Sequence, residues 1–222
     1  RQVRDVARRF DHRHLHAQTN TQIGDLAFAG ELRRLDLAFR AALTEAARHQ
    51  NAMHALKRHG FMLLADKAFP NLVMTFTGEP VKGSWWGHRM GTQIFNASNF
   101  LAEHRDVLAT KFLSGKYTYI HRDHWHEFLS IVARSRPWQL EGLSPAAADL
   151  LKLIKRRGQL RSDHVSGPYQ QRHGPADKHF KTLEARLLVH YDQIHTETGN
   201  HVKLISSWTC WRRQVGWRRG HL

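Results

Sequence analysis

The spacing of apolar and polar positions becomes regular only after residue 36. Residues 1–36 carry many charged and histidine side chains without a consistent apolar period. From Leu37 to about Arg58 the apolar positions recur at helical spacing, and His59-Gly60 is a typical helix end. We therefore expect residues 1–36 to be poorly ordered or loosely attached. A basic arm that contacts phosphate is the alternative.

Short apolar runs alternate with turn signals over the next 80 residues, and their spacing predicts a mixed, mainly helical domain over residues 37–139. Besides the first helix, the pattern predicts a short strand or turn at 61–64, a short helix near 69–76, helices at 92–100, 107–113 and 124–134, and a strand at 117–120. Pro137 is expected to end the last of these helices.

The C-terminal third carries the clearest signals. Ser144 is a typical N-cap, Pro145 suits the first helical position, and Gly158 is a typical helix end. The predicted order is a helix at 144–157, a short strand at 159–161, a brief helix at 162–167, a loop, a helix at 175–187, and strands at 188–195 and 201–207. Residues 209–222 follow as a basic tail.

This order is that of a winged helix-turn-helix domain, whose third helix lies in the major groove and whose β-hairpin wing contacts the flanking backbone. The sequence therefore predicts an α+β fold, mainly helical, with a C-terminal winged helix-turn-helix of three helices and a β-hairpin wing over residues 140–208. A generic helix–hairpin unit with solvated charges is the simpler alternative.

Charge points to a polyanionic partner. The 222 residues contain 34 Lys and Arg against 19 Asp and Glu, a formal net charge of +15, which most often indicates nucleic acid. The single cysteine excludes a disulfide framework and a multi-cysteine zinc site. No apolar run approaches the roughly 20 residues of a membrane helix, and none near residue 1 resembles a secretory signal. We expect a cytoplasmic protein without a membrane partner.

Three segments supply the predicted DNA-binding residues. Residues 152–161 contain five cations and no acid, the third helix has a polar face, and the wing adds two residues. The cations at 152–161 also suit the end of a helix macrodipole, so a solvated helix end is the alternative there. The predicted set is Lys152, Lys155, Arg156, Arg157, Arg161, Lys178, His179, Lys181, Thr182, Arg186, Asn200 and Lys203.

An aromatic turn at 83–88 is the other candidate site. Gly83 and Gly87 allow a tight bend around Trp85 and Trp86. Burial of a tryptophan removes on the order of 200 Å² from water, so we expect one of the two to be mostly buried and to hold this turn in place. The alternative is contact of Trp85, Trp86 and His88 with a base or ligand.

Other chemistries have weaker signals. His121, Asp123, His124 and His126 form the densest cluster of histidines, but their spacing matches no familiar zinc signature. A His190–Asp192 pair lacks a nucleophile, and Cys210 lies in a segment rich in tryptophan and arginine. The sequence has no GxGxxG and no Gly-x-Ser-x-Gly. We therefore expect no metal and no cofactor.

Several segments resemble a known bacterial family. The segments 183–189, 195–199 and Trp208, together with 69–72 and 114–120, look like the winged-helix DNA glycosylases that unhook interstrand crosslinks and their uncharacterised relatives. The resemblance covers roughly residues 40–208. It implies a winged-helix fold and a DNA partner.

The sequence departs from that family in two respects. The family is similar in carrying three winged helices and a catalytic Gln-x-Gln pair, whereas this chain is too short for three and has only the adjacent Gln170-Gln171. We therefore expect a non-catalytic DNA-binding winged-helix protein. A divergent glycosylase-like enzyme that acts on nucleobases, with its water held by Asp, Glu or His, and a winged-helix module that binds protein are the alternatives.

Overall fold

The computed structural model describes residue 31 and residues 33–165, 167–195 and 201–217, and it divides the chain into Arg1–Gln50 and Asn51–Leu222. In the first unit, residues 33–50 are helical and Leu37 and Phe39 are exposed. The segment expected to be loosely attached, residues 1–36, lies almost wholly outside the described residues. The predicted domain boundaries stay predictions.

The second unit begins with a small antiparallel sheet and its helices. Strand β3 lies in the centre, between β1 and β2, with Met62 opposite Tyr119 and Ala109 also opposite Tyr119. Asn71 caps α2, and its side chain accepts from the Met74 N–H (2.8 Å). The elements are α1 (residues 51–59), β1 (Phe61–Leu63), α2 (Leu72–Thr77), a 3₁₀ turn (Trp85–Gly87), α3 (Gly91–Glu103), β2 (Val107–Lys111) and β3 (Tyr117–His121).

The helix predicted at 107–113 is wrong, because residues Val107–Lys111 form strand β2. Alternate side chains of this strand enter two different apolar clusters, Val107 and Ala109 on one face and Leu108 on the other. A strand that is buried on both faces has a continuous apolar run, and the period of such a run does not distinguish strand from helix.

The remaining elements build a second antiparallel sheet flanked by helices. Strand β6 pairs with β4 on one side and β5 on the other, with Leu160 and Tyr191 both opposite Ile205. The elements are α4 (Trp125–Val132), α5 (Pro137–Leu140), α6 (Pro145–Arg157), β4 (Gln159–Arg161), α7 (Pro168–His173), α8 (Asp177–Ala185), β5 (His190–His195), β6 (His201–Ser206) and α9 (Trp208–Gln214).

Two prolines open helices where the sequence predicted interruptions. Pro168 is the first residue of α7, in a segment predicted to be a loop, whereas the helix predicted at 162–167 is only a 3₁₀ turn at Ser162–His164. Pro137 opens α5, after α4 has already ended at Val132. The fixed φ of proline suits the first position of a helix, so a Gly-Pro pair marks a helix start as readily as a loop.

A tryptophan-rich cluster joins the two sheets within the second unit. Trp125 on α4 packs edge-on against Trp211 on α9, with ring centroids 5.0 Å apart, and its Nε1–H donates to the Ile120 carbonyl (3.1 Å). Trp208 Nε1–H donates to the Leu187 carbonyl (2.8 Å). Part of the segment predicted as a basic tail is therefore a packed helix.

The fold class is α+β, with two small three-stranded antiparallel sheets among many helices. Among the described residues, no helix combines the length and the apolar character that crossing a bilayer needs.

Candidate nucleic-acid interface

Helices α6 and α8 pack against each other and so decide where the predicted DNA-binding residues point. Helix α6 starts at its Ser144 cap, whose Oγ accepts from the Ala147 N–H (3.2 Å), and it buries Leu150 and Ile154. Helix α8 buries Phe180 and Leu183 in the same apolar cluster. Because the two helices meet through their apolar faces, their charged faces point away from each other.

The exposed face of α8 carries the two predicted lysines. Lys178 and Lys181 are exposed, and in the described part of the chain neither has an ion pair. They are three residues apart and therefore lie on one side of the helix. His179 and Thr182 are half-buried beside them, and Thr182 Oγ1 donates to the Lys178 carbonyl (3.0 Å). The face that we call the α8 face consists of these four residues.

Arg186 does not belong to the α8 face. Its guanidinium donates to the Gln139 carbonyl (3.2 Å) and to the Glu141 carbonyl, at the end of α5. In return, the buried Gln139 side chain donates to the carbonyls of Arg186 (3.0 Å) and Leu187 (3.1 Å). These contacts tie α5 to the end of α8, so the cation at 186 has a structural partner already.

A second contact near the C-terminal end of α8 is a polar cluster that the sequence did not indicate. Glu184 of α8 is buried and accepts from Lys111 Nζ of β2 (3.4 Å), and the same ammonium lies 5.4 Å from the centroid of the Tyr191 ring. Burial works to lower the pKa of Lys111, but its interactions with Tyr191 and with the Glu184 carboxylate outweigh burial and raise that pKa. Lys111 fell in a predicted helix, so no pattern in the sequence could place it opposite α8.

The predicted residues of β4 and of the β5–β6 hairpin have different surroundings. The Arg161 guanidinium binds the Asp163 carboxylate through two hydrogen bonds of 2.8 and 3.1 Å, which raises the pKa of Arg161 and lowers that of Asp163. Lys203 lies over the Tyr191 ring, 5.3 Å from its centroid. Asn200 lies outside the described residues.

The cations at the end of α6 line a different surface. Lys152 pairs with Asp149 (3.3 Å), and Lys155 Nζ donates to Ser135 Oγ (2.9 Å). Arg156 and Arg157 are exposed, and no ion pair is described for either in the described ranges. Both line a depression of about 320 Å³ beside α7 and another of about 500 Å³ beside α9. No residue of α8 lines either depression, so the structure separates the predicted residues into two groups.

The aromatic turn places its two tryptophans in contact with each other. Trp85 is half-buried against the first core cluster, and Trp86 is 61% exposed. Their rings stack with centroids 4.3 Å apart, and Trp86 also lies 5.2 Å from Phe95. The expectation that one of the two tryptophans is mostly buried is confirmed for Trp85, whereas Trp86 is exposed.

Ser84 and His88 serve the backbone of this turn. Ser84 Oγ accepts from the Trp86 N–H (3.4 Å), and His88 Nδ1 accepts from the Met90 N–H (3.2 Å). Gly91 is packed so closely that an added Cβ would lie 2.7 Å from the Trp86 carbonyl oxygen. These contacts fix the path of the turn and leave the Trp86 ring presented to solvent.

Two of the histidines considered as catalytic or metal-binding candidates each pair with one aspartate. His190 is buried, and its Nε2 lies 3.1 Å from Asp192 Oδ1. His121 Nδ1 lies 3.1 Å from Asp123 Oδ2, and burial lowers the pKa of His121. In the described ranges no group of three or more His, Cys, Asp or Glu is placed to hold a metal ion.

The chain matches no protein-family model, no curated protein and no solved structure. Its resemblance to the winged-helix glycosylases therefore stays a prediction from the residues quoted above.

Proposed function

We propose that the protein binds duplex DNA without catalysing a reaction, and that residues 144–208 act as a winged helix-turn-helix. In this proposal α8 enters the major groove and the β5–β6 hairpin lies beside the flanking backbone. The element order α6, β4, α7, α8, β5, β6 supports it, as does the antiparallel sheet in which β6 lies between β4 and β5.

The observation that carries the proposal is the α8 face. Lys178 and Lys181 project from a helix whose other side is buried, and neither ammonium is neutralised by an acid in the described residues. Free cations on a protruding helix release counterions when they meet phosphates, which supplies most of the affinity for DNA. The net charge of +15 adds long-range attraction.

Helix α8 is also held firmly at its C-terminal end. The Glu184–Lys111 pair fixes it to β2, and the Arg186 contacts fix it to α5. A reading helix must be presented in one orientation to keep its contacts with the groove. Buried polar contacts at one end of the helix and apolar packing along it meet that requirement.

The test is equilibrium binding of a 16-base-pair duplex by the Lys178→Gln/Lys181→Gln variant. Each phosphate contact contributes about 0.9 to the slope of log affinity against log salt. We expect the double variant to lose affinity on the order of tenfold or more at low salt and to show a slope shallower by up to about 2. The matched control is Lys67→Gln/Lys82→Gln, which removes two exposed charges outside α8.

Two results would overturn the proposal. One is an equal loss for the α8 variant and the control, because the charges on α8 would then have no special role. The other is duplex affinity of the wild-type protein that does not change with salt.

A further inference from the structure

Three depressions share lining residues, and we call the surface that they form together the helical trough. The first, about 240 Å³, lies between α4 and the end of α9 and shares Ala133 with the second, of about 500 Å³. The second shares Arg156 and Arg157 with the third, of about 320 Å³. Helices α4, α6, α7 and α9 supply most of its walls, and no residue of α8 lines it.

The helical trough is lined by cations along its whole length. Arg134 and Arg212 line the first depression, and Lys155 and Arg213 join the shared arginines in the second. Lys152 and Arg172 line the third depression.

The acid in its lining is Asp149, which is already paired with Lys152 (3.3 Å) and His173 (3.1 Å). A concave surface with this charge attracts a polyanion and focuses its field.

Flat groups line both ends of the helical trough. At one end the Arg212 guanidinium lies 4.9 Å from the centroid of the Trp217 ring. At the other end the half-buried Tyr169 ring lies 4.9 Å from the His173 ring, and Tyr169 Oη donates to the Ala146 carbonyl (3.1 Å). Bases of an unpaired strand stack on aromatic rings and on guanidinium planes.

We propose that the helical trough binds single-stranded nucleic acid, with phosphates along the α6 arginines and bases against Tyr169 and the Arg212–Trp217 pair. A duplex hides its base faces and is read by elements that protrude into a groove. A basic groove edged by aromatic rings instead suits an unpaired strand, whose bases are free to stack. This surface is separate from the α8 face, so the inference does not depend on duplex binding there.

The experiment measures binding of fluorescent dT16, U16 and a 16-base-pair duplex to the full chain. The test variant is Arg156→Gln/Arg157→Gln/Arg172→Gln, three exposed side chains whose removal disrupts no described hydrogen bond or ion pair. Each phosphate contact to a single strand contributes about 0.7 to the salt slope, so three contacts give a slope shallower by about 2 and a loss of roughly 10- to 100-fold at 0.1 M salt. Lys67→Gln/Lys82→Gln/Arg89→Gln removes the same charge elsewhere and is expected to change affinity by less than about threefold.

Two further variants separate charge from stacking. Arg156→Lys/Arg157→Lys/Arg172→Lys keeps the charges and is expected to keep the salt slope, and far-UV circular dichroism of the glutamine variant checks that it is folded. Trp217→Ala is expected to weaken single-strand binding about tenfold, and Trp217→Phe to recover most of it. The tighter of dT16 and U16 identifies whether the natural strand is DNA or RNA.

The inference is overturned if the glutamine variant binds single strands as the wild-type protein does, or if it loses no more affinity than the control. An equal loss of duplex and single-strand affinity also overturns it, since the helical trough would then be a general cation surface. The Lys178→Gln/Lys181→Gln variant keeps this test independent of the proposed function. If it leaves duplex binding intact while the helical trough variant loses dT16, duplex reading by α8 fails and the single-strand site stands.

Discussion

The α8 face and the helical trough both carry exposed cations, but the first is one side of a helix and the second is a groove between helices. The α8 face presents two exposed lysines on one side of a single helix. The helical trough is concave and collects arginines and lysines from several helices around Arg156 and Arg157. A net charge of +15 predicts a polyanionic partner for either surface, and the shape then indicates which form of nucleic acid each one suits.

The packing between α6 and α8 directs the α8 face and the helical trough to different sides of the helix pair. Ile154 is fully buried between them. We expect Ile154→Ala to destabilise the protein by about 2–5 kcal/mol, through lost burial and the cavity left behind. Chemical denaturation measures the free energy of unfolding, and Leu153→Ala, at a half-buried neighbour, is the control with a smaller expected loss.

Both surfaces should fail together in the Ile154→Ala variant as denaturant rises. If duplex binding survives at denaturant concentrations where dT16 binding is lost, the two helices do not form one cooperative unit.

The aromatic turn presents a third exposed surface, and substitution of its two tryptophans tests this surface separately from the other two. Trp85 packs against the core and Trp86 is mostly exposed. We expect Trp85→Ala to cost about 2 kcal/mol of stability and Trp86→Ala less than about 1 kcal/mol. Thermal unfolding of both variants checks this difference. Lower nucleic-acid affinity in either variant, with stability unchanged, would add the turn to the binding surfaces.

Arg186 supports helix α8 but does not belong to the α8 face, and its substitution tests this difference. Its guanidinium serves two carbonyls of the α5 segment, so Arg186→Ala should lower the free energy of unfolding by about 1–2 kcal/mol. Duplex affinity measured well below the unfolding temperature should stay within about threefold, since no phosphate contact is removed and the Glu184–Lys111 pair still holds α8. Lys178→Ala should show the reverse pattern. An Arg186→Ala variant that keeps its stability but loses duplex binding would return Arg186 to the predicted DNA-binding set.

The buried phenols of Tyr117 and Tyr191 predict how stability depends on pH, and the Tyr191 ring contacts Lys111, which holds α8. Burial raises the pKa of Tyr117 to about 12, with contributions from Asp192 and Tyr191, and burial also raises the pKa of Tyr191. An unfolded tyrosine ionises near pH 10, so the folded state holds these protons more tightly. This contribution to stability is fully present below pH 10 and is lost as pH rises from about 10 towards 12.

Denaturation across this pH range should show falling stability, with a shallower fall for Tyr117→Phe. Stability that is constant from pH 9 to pH 12 would show that these phenols are not protected by burial.

Local signals in the sequence predicted much of the fold. Ser144, Pro145 and Gly158 bound α6 as expected, and the residues after Ser114-Gly115-Lys116 form the predicted strand. The errors arose where tertiary contacts decide the outcome. Val107–Lys111 is a strand because β3 and two apolar clusters lie against it, and Pro168 opens a helix rather than a loop.

The candidate sites were harder to predict from the sequence than the fold. The cations at 152–157 and 178–181 are visible as residues, but their separation onto two surfaces depends on how α6 and α8 pack. Arg172 and Arg212 had no reason to be grouped with them, because the helical trough exists only when α7 and α9 are in place. The role of Arg186 likewise needs α5 beside it, a contact between residues 47 positions apart.

The central claim is that the α8 face and the helical trough are two independent nucleic-acid surfaces. The most direct measurement is titration of a labelled 16-base-pair duplex into the protein with and without saturating, non-complementary dT16. We predict that saturating dT16 changes the duplex affinity by less than about threefold and that a complex containing both nucleic acids forms, with the remaining change due to repulsion screened by salt. Complete displacement of one nucleic acid by the other at stoichiometric amounts would contradict the account, because it would show a single shared surface.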